Sequence, residues 1–205
     1  MECIRGKTSA GIDAAGLAAG YDDVLIDVGT GDGRYVMHVA RTRPSWFAVG
    51  VDACRENLRK ASRRAPANAL YVIANALALP KELDGMASKV TINFPWGSLL
   101  VGLLDGEPGL LEGLLAIARP GAALEVRLNA GALADAGYTL ESGDTRVRRA
   151  LHAGGFEAGD PVWLDARDLR RCHTTWAKRL AYGRDPRAVC LRGRLGSHSV
   201  LRDCA

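Results

Sequence analysis

The sequence predicts an α/β fold in which a mostly parallel sheet of seven strands carries helices on both faces. Apolar runs of strand length alternate with helical patterns, and this alternation is typical of βαβ units joined in a parallel sheet. The chain has 205 residues, of which 48% are hydrophobic and 24% charged, and this suits one globular domain with a substantial core. We therefore predict a single domain over residues 1–205.

Four buried strands and two helices are predicted in the first half. A buried parallel strand is a short continuous apolar run. The runs are DVLIDVG (23–29), WFAVGVD (46–52), ALYVIA (69–74) and KVTINF (89–94). The helical patterns RYVMHVARTR (34–43) and RENLRKASRRA (55–65) follow the first two strands and stop before Pro44 and Pro66. Proline disrupts a helix interior, so each helix is expected to end there.

Three further strands and two helices are predicted in the second half. The strands are 122–129 (AALEVRLN), about 161–164, and 188–195 (AVCLRGRL), and the helical patterns cover 108–118 and 144–153. The second helix leads into Gly154 and Gly155, which suit a helix C-terminus.

Two segments lie outside this alternation. Residues 1–20 form an N-terminal extension whose first dozen residues suit a short hairpin or a strand ahead of the sheet. Residues 165–186, containing DARDLRRCHTTWAKRLAYGRD, separate the last two strands by a long loop. Connections of this length in a compact domain are usually functional, so we predict a functional insertion there.

Composition argues against several classes of protein. The leucine-rich run after Leu99 is interrupted by Asp105, Glu107 and Glu112, so no membrane span is expected. The N-terminal residues lack an apolar signal region. Five widely spaced cysteines without a C-x-x-C pair favour reduced thiols in the cytoplasm over disulfides or a metal site.

Positive charge is concentrated in two places. Residues 163–205 contain ten Lys and Arg against four Asp and Glu, and residues 55–64 contain five basic residues and one acidic one. A single run of this kind is as easily a solvated helix face. Two runs favour a polyanionic partner, because phosphate binding draws on clustered Lys and Arg.

A glycine-rich loop follows the first long strand, in IDVGTGDGR (26–34). Its glycines can expose backbone N–H groups at the start of a helix, where anionic or polar ligands bind. The spacing is G-x-G-x-G, and Asp52 ends the next strand, where an acidic residue accepts ribose hydroxyls in dinucleotide folds. The alternative is a tight strand-to-helix turn without a ligand.

This order of elements resembles the class I S-adenosylmethionine-dependent methyltransferase fold over roughly Asp22 to Leu195. The resemblance implies S-adenosylmethionine as cofactor, with Asp27 and Gly29 beside its amino-acid end, Asp52 on the ribose, and Ala76 and Leu77 bordering the adenine. The full set that it implies is Asp27, Gly29, Thr30, Gly31, Gly33, Asp52, Ala76, Leu77, Asn93, Phe94, Trp96, Ser98 and Thr174.

Two tryptophans occupy positions that suit a clamp for a base. Trp96 follows the fourth strand in NFPWGSLL, where the chain turns away from the sheet above the expected ligand site. Trp176 lies among cationic residues in the insertion, which is unusual for a core tryptophan. Two aromatic faces can hold a flipped base, although Trp96 could also be an ordinary core residue.

Three motifs, IDVGTGDGRYV, INFPWGSLL and TTWAKRLAYGR, together resemble the aminoglycoside-resistance methyltransferases that modify N1 of adenine-1408 of 16S rRNA, the kanamycin-apramycin resistance family. The resemblance implies that Trp96 and Trp176 enclose the adenine, that Thr174 fixes the insertion, and that the protein acts as a monomer on the assembled 30S subunit. The implied RNA-binding residues are Arg59, Lys60, Arg63, Arg64, Lys178, Arg179, Arg184 and Arg187.

Alternative functions remain open at this point. A tRNA guanine-N7 methyltransferase shares a Pro-Trp turn after the fourth strand, but its Pro-Asp-Pro-Trp pattern is absent here. A small-molecule methyltransferase would leave the basic run 55–64 without a role. Asp185 and Pro186 interrupt the basic stretch after Trp176, which would suit a cofactor-binding RNA-binding protein with little turnover.

Overall fold

The computed structural model describes residues 1–183 and 185–196, and these form ten strands and nine α-helices. The strands are β1 (Glu2–Arg5), β2 (Thr8–Gly11), β3 (Asp23–Val28), β4 (Trp46–Asp52), β5 (Ala69–Ile73), β6 (Ala87–Asn93), β7 (Ala118–Asn129), β8 (Phe156–Ala158), β9 (Val162–Leu164) and β10 (Ala188–Leu195). The helices are α1 (Ala14–Ala18), α2 (Arg34–Thr42), α3 (Arg55–Arg63), α4 (Gly97–Asp105), α5 (Pro108–Ile117), α6 (Ala130–Asp135), α7 (Leu140–Ala153), α8 (Ala166–Arg171) and α9 (Thr175–Ala181).

All strands belong to one sheet in the order β2-β1-β5-β4-β3-β6-β7-β10-β8, with β9 also paired to β10. The central strands β5, β4, β3, β6 and β7 are parallel, and β10 returns antiparallel to β7. The strand order reverses between β3 and β6, because β4 and β5 lie on one side of β3 while β6 and β7 lie on the other. This junction is where ligands bind in open α/β sheets.

The predicted α/β fold is confirmed, and the strand count differs for two reasons. The N-terminal hairpin adds β1 and β2 to the sheet through the pairing of Cys3 with Val72 on β5. The strand predicted at about 161–164 is β9, and a further short strand that the sequence did not indicate, β8, precedes it; both pair with β10. Pro161 has no N–H group to donate to a ladder, so the edge strand is interrupted before β9.

Helices replace two regions that the sequence indicated as a turn and a loop. Helix α4 begins at Gly97, directly after Trp96, and ends at Asp105, where Gly106 caps it in a left-handed conformation. The insertion folds into α8 and α9. Asp165 caps α8 through a capping box with Asp168, and the Thr174 hydroxyl caps α9 by accepting a hydrogen bond from the Ala177 N–H.

Each face of the sheet has its own apolar layer. Alternate residues of β3 point to opposite faces, so that Leu25 packs with α2 and α3 while Ile26 packs with α4, α5 and α7. The insertion has a separate small core of Phe94, Leu169, Cys172, Ala177, Leu180 and Ala188. Packing of both layers fixes the strand ends from which the site is built.

Candidate active site

A cleft of about 540 Å³ opens at the carboxyl ends of β3, β4, β5 and β6. Its position matches the reversal of strand order. Eleven of the thirteen predicted cofactor residues line it: Asp27, Gly29, Thr30, Gly31, Asp52, Ala76, Asn93, Phe94, Trp96, Ser98 and Thr174. Asp32, Asn57, Asn75, Thr175 and Arg179 also line the cleft, and no motif in the sequence had indicated them as cofactor residues.

Gly31 and Gly33 of the glycine loop have different surroundings. A side chain at Gly31 would meet no atom within 4 Å, so this backbone faces open space in the cleft. A Cβ at Gly33 would lie 2.4 Å from the Tyr71 ring and 2.8 Å from the Ala61 Cβ, and the Tyr71 hydroxyl donates to the Gly33 carbonyl at 2.9 Å. Gly33 therefore serves the packing of α2 and lies outside the cleft lining, contrary to its predicted contact with the cofactor.

Asp52 organises the loop as well as facing the cleft. Its Oδ2 accepts a hydrogen bond from the Gly31 N–H and its Oδ1 accepts one from the Cys54 N–H, both at 2.8 Å. Each carboxylate oxygen has a second lone pair, so Asp52 retains acceptors for ribose hydroxyl groups.

The two residues predicted to border the adenine, Ala76 and Leu77, lie in different surroundings. Ala76 lines the cleft, whereas Leu77 turns away from it and packs against α4 and α5, with its Cδ2 3.0 Å from the position of a Cβ at Gly102. Apolar burial against these helices explains the departure from the prediction for Leu77.

Asp27 is a buried acceptor at the end of β3, with 1% of its surface exposed. Its Oδ1 accepts hydrogen bonds from the Thr91 hydroxyl at 2.6 Å and the Asn93 amide at 2.8 Å. Burial raises the pKa of Asp27, while these bonds and the charge of Arg127 oppose the rise. The Thr30 hydroxyl also favours ionised Asp27, but it makes no hydrogen bond of normal geometry within the described part of the chain.

A charged network behind the cleft fixes the orientation of Asn93. The Arg127 guanidinium donates to the Asn93 Oδ1 at 2.6 Å and to the Glu125 carboxylate at 3.1 Å. Glu125 also pairs with Lys89 at 2.7 Å and Arg192 at 3.2 Å. Although burial opposes it, the charges of Arg127 and Lys89 lower the pKa of Glu125 to about 2. Because Asn93 accepts from Arg127, its NH₂ group is directed at Asp27.

We expect Arg127→Met to weaken cofactor binding about tenfold and to lower the free energy of unfolding by about 1–3 kcal/mol, since a buried amide oxygen loses a charged donor. Calorimetric titration with S-adenosylmethionine and denaturant unfolding measure the two effects. Arg192→Met is the matched control, because Arg192 pairs with the same Glu125 but its side chain is 62% exposed. Equal effects of the two variants would refute the role given to Arg127.

The two predicted tryptophans lie together at the mouth of the cleft. Their ring centroids are 5.0 Å apart with an interplanar angle of 24°, so the rings stack directly on each other. Trp96 is 38% exposed and Trp176 is 36% exposed, which rules out the ordinary core position that the sequence left open for Trp96. The Arg179 guanidinium lies 5.1 Å from the Trp176 ring centroid, within cation–π range.

Two contacts hold the insertion that carries Trp176 in place, one to Phe94 at the end of β6 and one to the glycine loop. The side chain of Phe94 is 2% exposed and lies in the core of the insertion. Phe94 was predicted to bind the cofactor, and it contributes to the wall of the cleft. Phe94 has φ of 53°, a left-handed conformation that costs roughly 1–2 kcal/mol for such a residue. The Thr175 hydroxyl donates to the Asp32 carboxylate of the glycine loop at 2.6 Å.

Comparison with known proteins decides the family. Residues 2–195 match the NpmA family, described as 16S rRNA (adenine(1408)-N(1))-methyltransferase. The enzyme of that name from Streptoalloteichus tenebrarius is 36% identical over 185 residues, covering 82% of this chain and 85% of the relative. The chain belongs to the 16S rRNA (adenine(1408)-N(1))-methyltransferase family.

Solved structures of methyltransferases share this fold. The 16S rRNA methyltransferase KamB aligns with a TM-score of 0.85 and 32% identity over 96% of this chain and all of the other. A tryptophan-to-alanine mutant of the 16S rRNA (adenine(1408)-N(1))-methyltransferase from Catenulisporales acidiphilia, crystallised with the cosubstrate SAM, aligns with a TM-score of 0.84 and 27% identity over 100% of both chains. The predictions of the family and the fold are therefore confirmed.

The residues predicted to bind RNA in this family member do not form one surface. Lys60, Arg64 and Lys178 line a groove beside the cleft, and Arg179 lines the cleft itself. Arg63 lies against the hairpin, with its Cβ 3.6 Å from the position of a Cβ at Gly6, and Arg59 is exposed on α3. Arg187 forms a bidentate ion pair with Asp185, in which Nε and Nη2 each lie 2.8 Å from a carboxylate oxygen. Arg184 lies outside the described residues.

The described residues contain neither a metal-binding cluster nor a disulfide nor a helix that could span a membrane. Among residues 1–183 and 185–196, no group of three His, Cys, Asp or Glu side chains is arranged to hold a metal ion. Cys3, Cys54, Cys172 and Cys190 are free thiols, while Cys204 lies outside the described residues. No helix in the described ranges is long and apolar enough to cross a membrane.

Proposed function

We propose that this protein transfers the methyl group of S-adenosylmethionine to N1 of adenine-1408 of 16S rRNA in the assembled 30S subunit, and so confers resistance to aminoglycosides such as kanamycin and apramycin. The observation that carries the proposal is the pair of exposed tryptophans at the mouth of the cleft, in a chain of this methyltransferase family. A stacked aromatic pair above a methyl-donor site suits a nucleobase substrate.

The residues of the cleft fit the cofactor. Within the described residues, Asp27 Oδ2 accepts no hydrogen bond of normal geometry, so it can accept one from the α-ammonium group of S-adenosylmethionine. The buried Thr30 hydroxyl lacks a hydrogen-bond partner in the same residues, and a ligand would supply one. The open side of Gly31 leaves room for the ligand, and Asp52 can bind the ribose through its remaining lone pairs.

The chain's own residues act on the target by positioning it. When bound, S-adenosylmethionine supplies an electrophilic methyl group. Adenine N1 has an in-plane lone pair and no proton at neutral pH, so no general base is required. Trp96 and Trp176 would hold the base in line with the methyl, an alignment that can offset several kcal/mol of barrier. Their π faces would also stabilise the positive charge that develops on the base.

Entry of the adenine requires the two rings to separate. A base stacked between two rings needs about 7 Å between them, twice the carbon–carbon contact distance of about 3.5 Å. The rings lie 5.0 Å apart, so the stacked pair is a closed form of the clamp. In the free protein each tryptophan ring covers an apolar face of the other. In the complex with RNA, the adenine would cover those faces instead.

The ion pair between Asp185 and Arg187 should limit RNA binding. We expect Asp185→Ala to tighten binding to 30S subunits and to steepen its salt dependence by about 0.7–0.9 in log–log slope, because Arg187 becomes free to contact a phosphate. Asp160→Ala frees Arg148 on α7, which pairs with Asp160 at 2.6 Å, and is the control expected to change neither. Binding no tighter than that of the wild-type protein would count against this role of Asp185.

Transfer of tritiated methyl groups to purified 30S subunits, to tRNA and to naked 16S rRNA tests the proposal. We expect incorporation into 30S subunits and little into the other two, since a folded RNA surface is recognised by shape. Incorporation into tRNA alone would instead support a guanine-N7 methyltransferase. Cofactor binding without transfer to any RNA would support a binding protein with little turnover. We also expect a monomer acting in the cytoplasm, where ribosomes are.

A further inference from the structure

A second depression, with a volume of about 590 Å³, lies beside the cofactor cleft between α2, α3 and the insertion. We call it the basic groove. Its walls carry six cationic side chains: Arg34, Arg41, Lys60, Arg64, Arg170 and Lys178. Arg41 on α2 lies outside both basic runs, and Arg170 on α8 lies in the C-terminal run but is not among the residues predicted to bind RNA.

Little negative charge offsets these cations. Asp32 is the carboxylate that lines the groove, and it is already held by Arg34 at 3.0 Å and by the Thr175 hydroxyl at 2.6 Å. Within residues 1–183 and 185–196, no carboxylate forms an ion pair with Arg41, Lys60, Arg64 or Lys178. Unpaired like charges facing one groove favour an extended polyanion over a small apolar ligand.

The groove leads directly into the cofactor cleft. Asp32 and Thr174 line both depressions, and Thr174 caps the helix that carries Trp176. A nucleotide whose base lies between the tryptophans would therefore have its backbone at the mouth of the groove. Grooves that track a nucleic acid strand beside a stacking platform are common in single-strand binding.

A histidine pair holds the two walls of the groove together. His38 on α2 and His173 in the insertion stack with ring centroids 3.5 Å apart and an interplanar angle of 19°. Burial and then the neighbouring His173 and Arg43 lower the pKa of His38. His38 is therefore neutral at pH 7, and the stack is compatible with a groove formed before RNA binds.

We infer that the basic groove binds the phosphodiester backbone of the rRNA strand next to the target adenosine, with Arg41 and Arg170 as phosphate ligands on its opposite walls. This inference rests on the proposed function. It distinguishes the cations of residues 55–64 by position, because Lys60 and Arg64 line the groove while Arg63 is exposed outside it, with its Cβ beside the hairpin.

The test is the salt dependence of binding to purified, unmodified 30S subunits for the double variant Arg41→Ala/Arg170→Ala. We expect the log–log slope to fall by about 0.7–0.9 for each lost contact, with weaker binding and unchanged affinity for S-adenosylmethionine. The charge-matched control is Arg149→Ala/Arg167→Ala, two exposed arginines outside the groove on α7 and α8. It should keep the wild-type slope and affinity.

Failure of the inference can be told apart from failure of the proposed function. If the wild-type protein methylates 30S subunits and the groove variant keeps the slope of the control, the groove inference is overturned alone. If the wild-type protein binds 30S subunits without methylating them, the proposed activity fails while the slopes still test the groove. No binding of the wild-type protein to 30S subunits would overturn both.

Discussion

Trp176→Ala should reduce methylation of 30S subunits by about 5- to 150-fold in kcat/KM, because one stacked face contributes roughly 1–3 kcal/mol. Cofactor affinity should change little, since Trp176 comes from the insertion and not from the strand ends that hold the cofactor. Trp96→Ala should impair both methylation and cofactor binding, because Trp96 directly follows the end of β6. Steady-state kinetics on 30S subunits and calorimetric titration with S-adenosylmethionine measure these effects.

A third exposed tryptophan provides the control for these variants. Trp163 lies on β9 at the edge of the sheet, is 55% exposed and does not line the cleft. Trp163→Ala should leave kcat/KM within about twofold of the wild-type value, as expected for a surface substitution away from the site. If Trp96→Ala and Trp176→Ala are as active as Trp163→Ala, the two tryptophans do not enclose the base.

Asp27→Asn should weaken S-adenosylmethionine binding by about 10- to 150-fold, because a hydrogen bond to a charged group contributes roughly 1.5–3 kcal/mol. The same change should stabilise the cofactor-free protein at neutral pH. Burial raises the pKa of Asp27 in the folded state, so the folded state binds the proton more tightly and stability falls as pH rises above the unfolded pKa of about 3.9. Asparagine keeps the shape of the side chain and removes that loss.

The pH dependence of the unfolding free energy tests the second half of this prediction. The stability difference between Asp27→Asn and the wild-type protein should be small near pH 3 and should grow towards pH 7. Asp84→Asn removes an exposed carboxylate outside the cleft and should alter neither cofactor affinity nor the pH profile. If Asp27→Asn binds S-adenosylmethionine as tightly as the wild-type protein, the charge of Asp27 does not contribute to cofactor binding.

Much of the site follows from the order of elements in the sequence. The carboxyl ends of parallel strands meet at one edge, so the glycine loop, Asp52 and Trp96 were predictable as neighbours. Gly33 and Leu77 depart from the prediction because their burial depends on helices that pack over them, which strand order does not reveal. The left-handed turn at Phe94, which directs an aromatic ring into the insertion, has no local signal such as glycine.

Contacts between segments far apart in the chain could not be predicted from the sequence either. The bond between Arg127 and Asn93 depends on the register of β6 and β7. The stacks of Trp96 on Trp176 and of His38 on His173 depend on how the insertion folds back over α2 and the cleft. The basic groove appears only when cations of α2, α3 and the insertion are brought together.

The position of the methyl group on the product RNA tests the central claim most directly. Reverse transcription across 16S rRNA from treated 30S subunits should stop at adenine-1408, because N1 methylation blocks Watson–Crick pairing, and the stop should require S-adenosylmethionine. Subunits carrying guanine at that position should show no stop. A cofactor-dependent modification at another nucleotide, or none with a protein that binds the cofactor, would contradict the account.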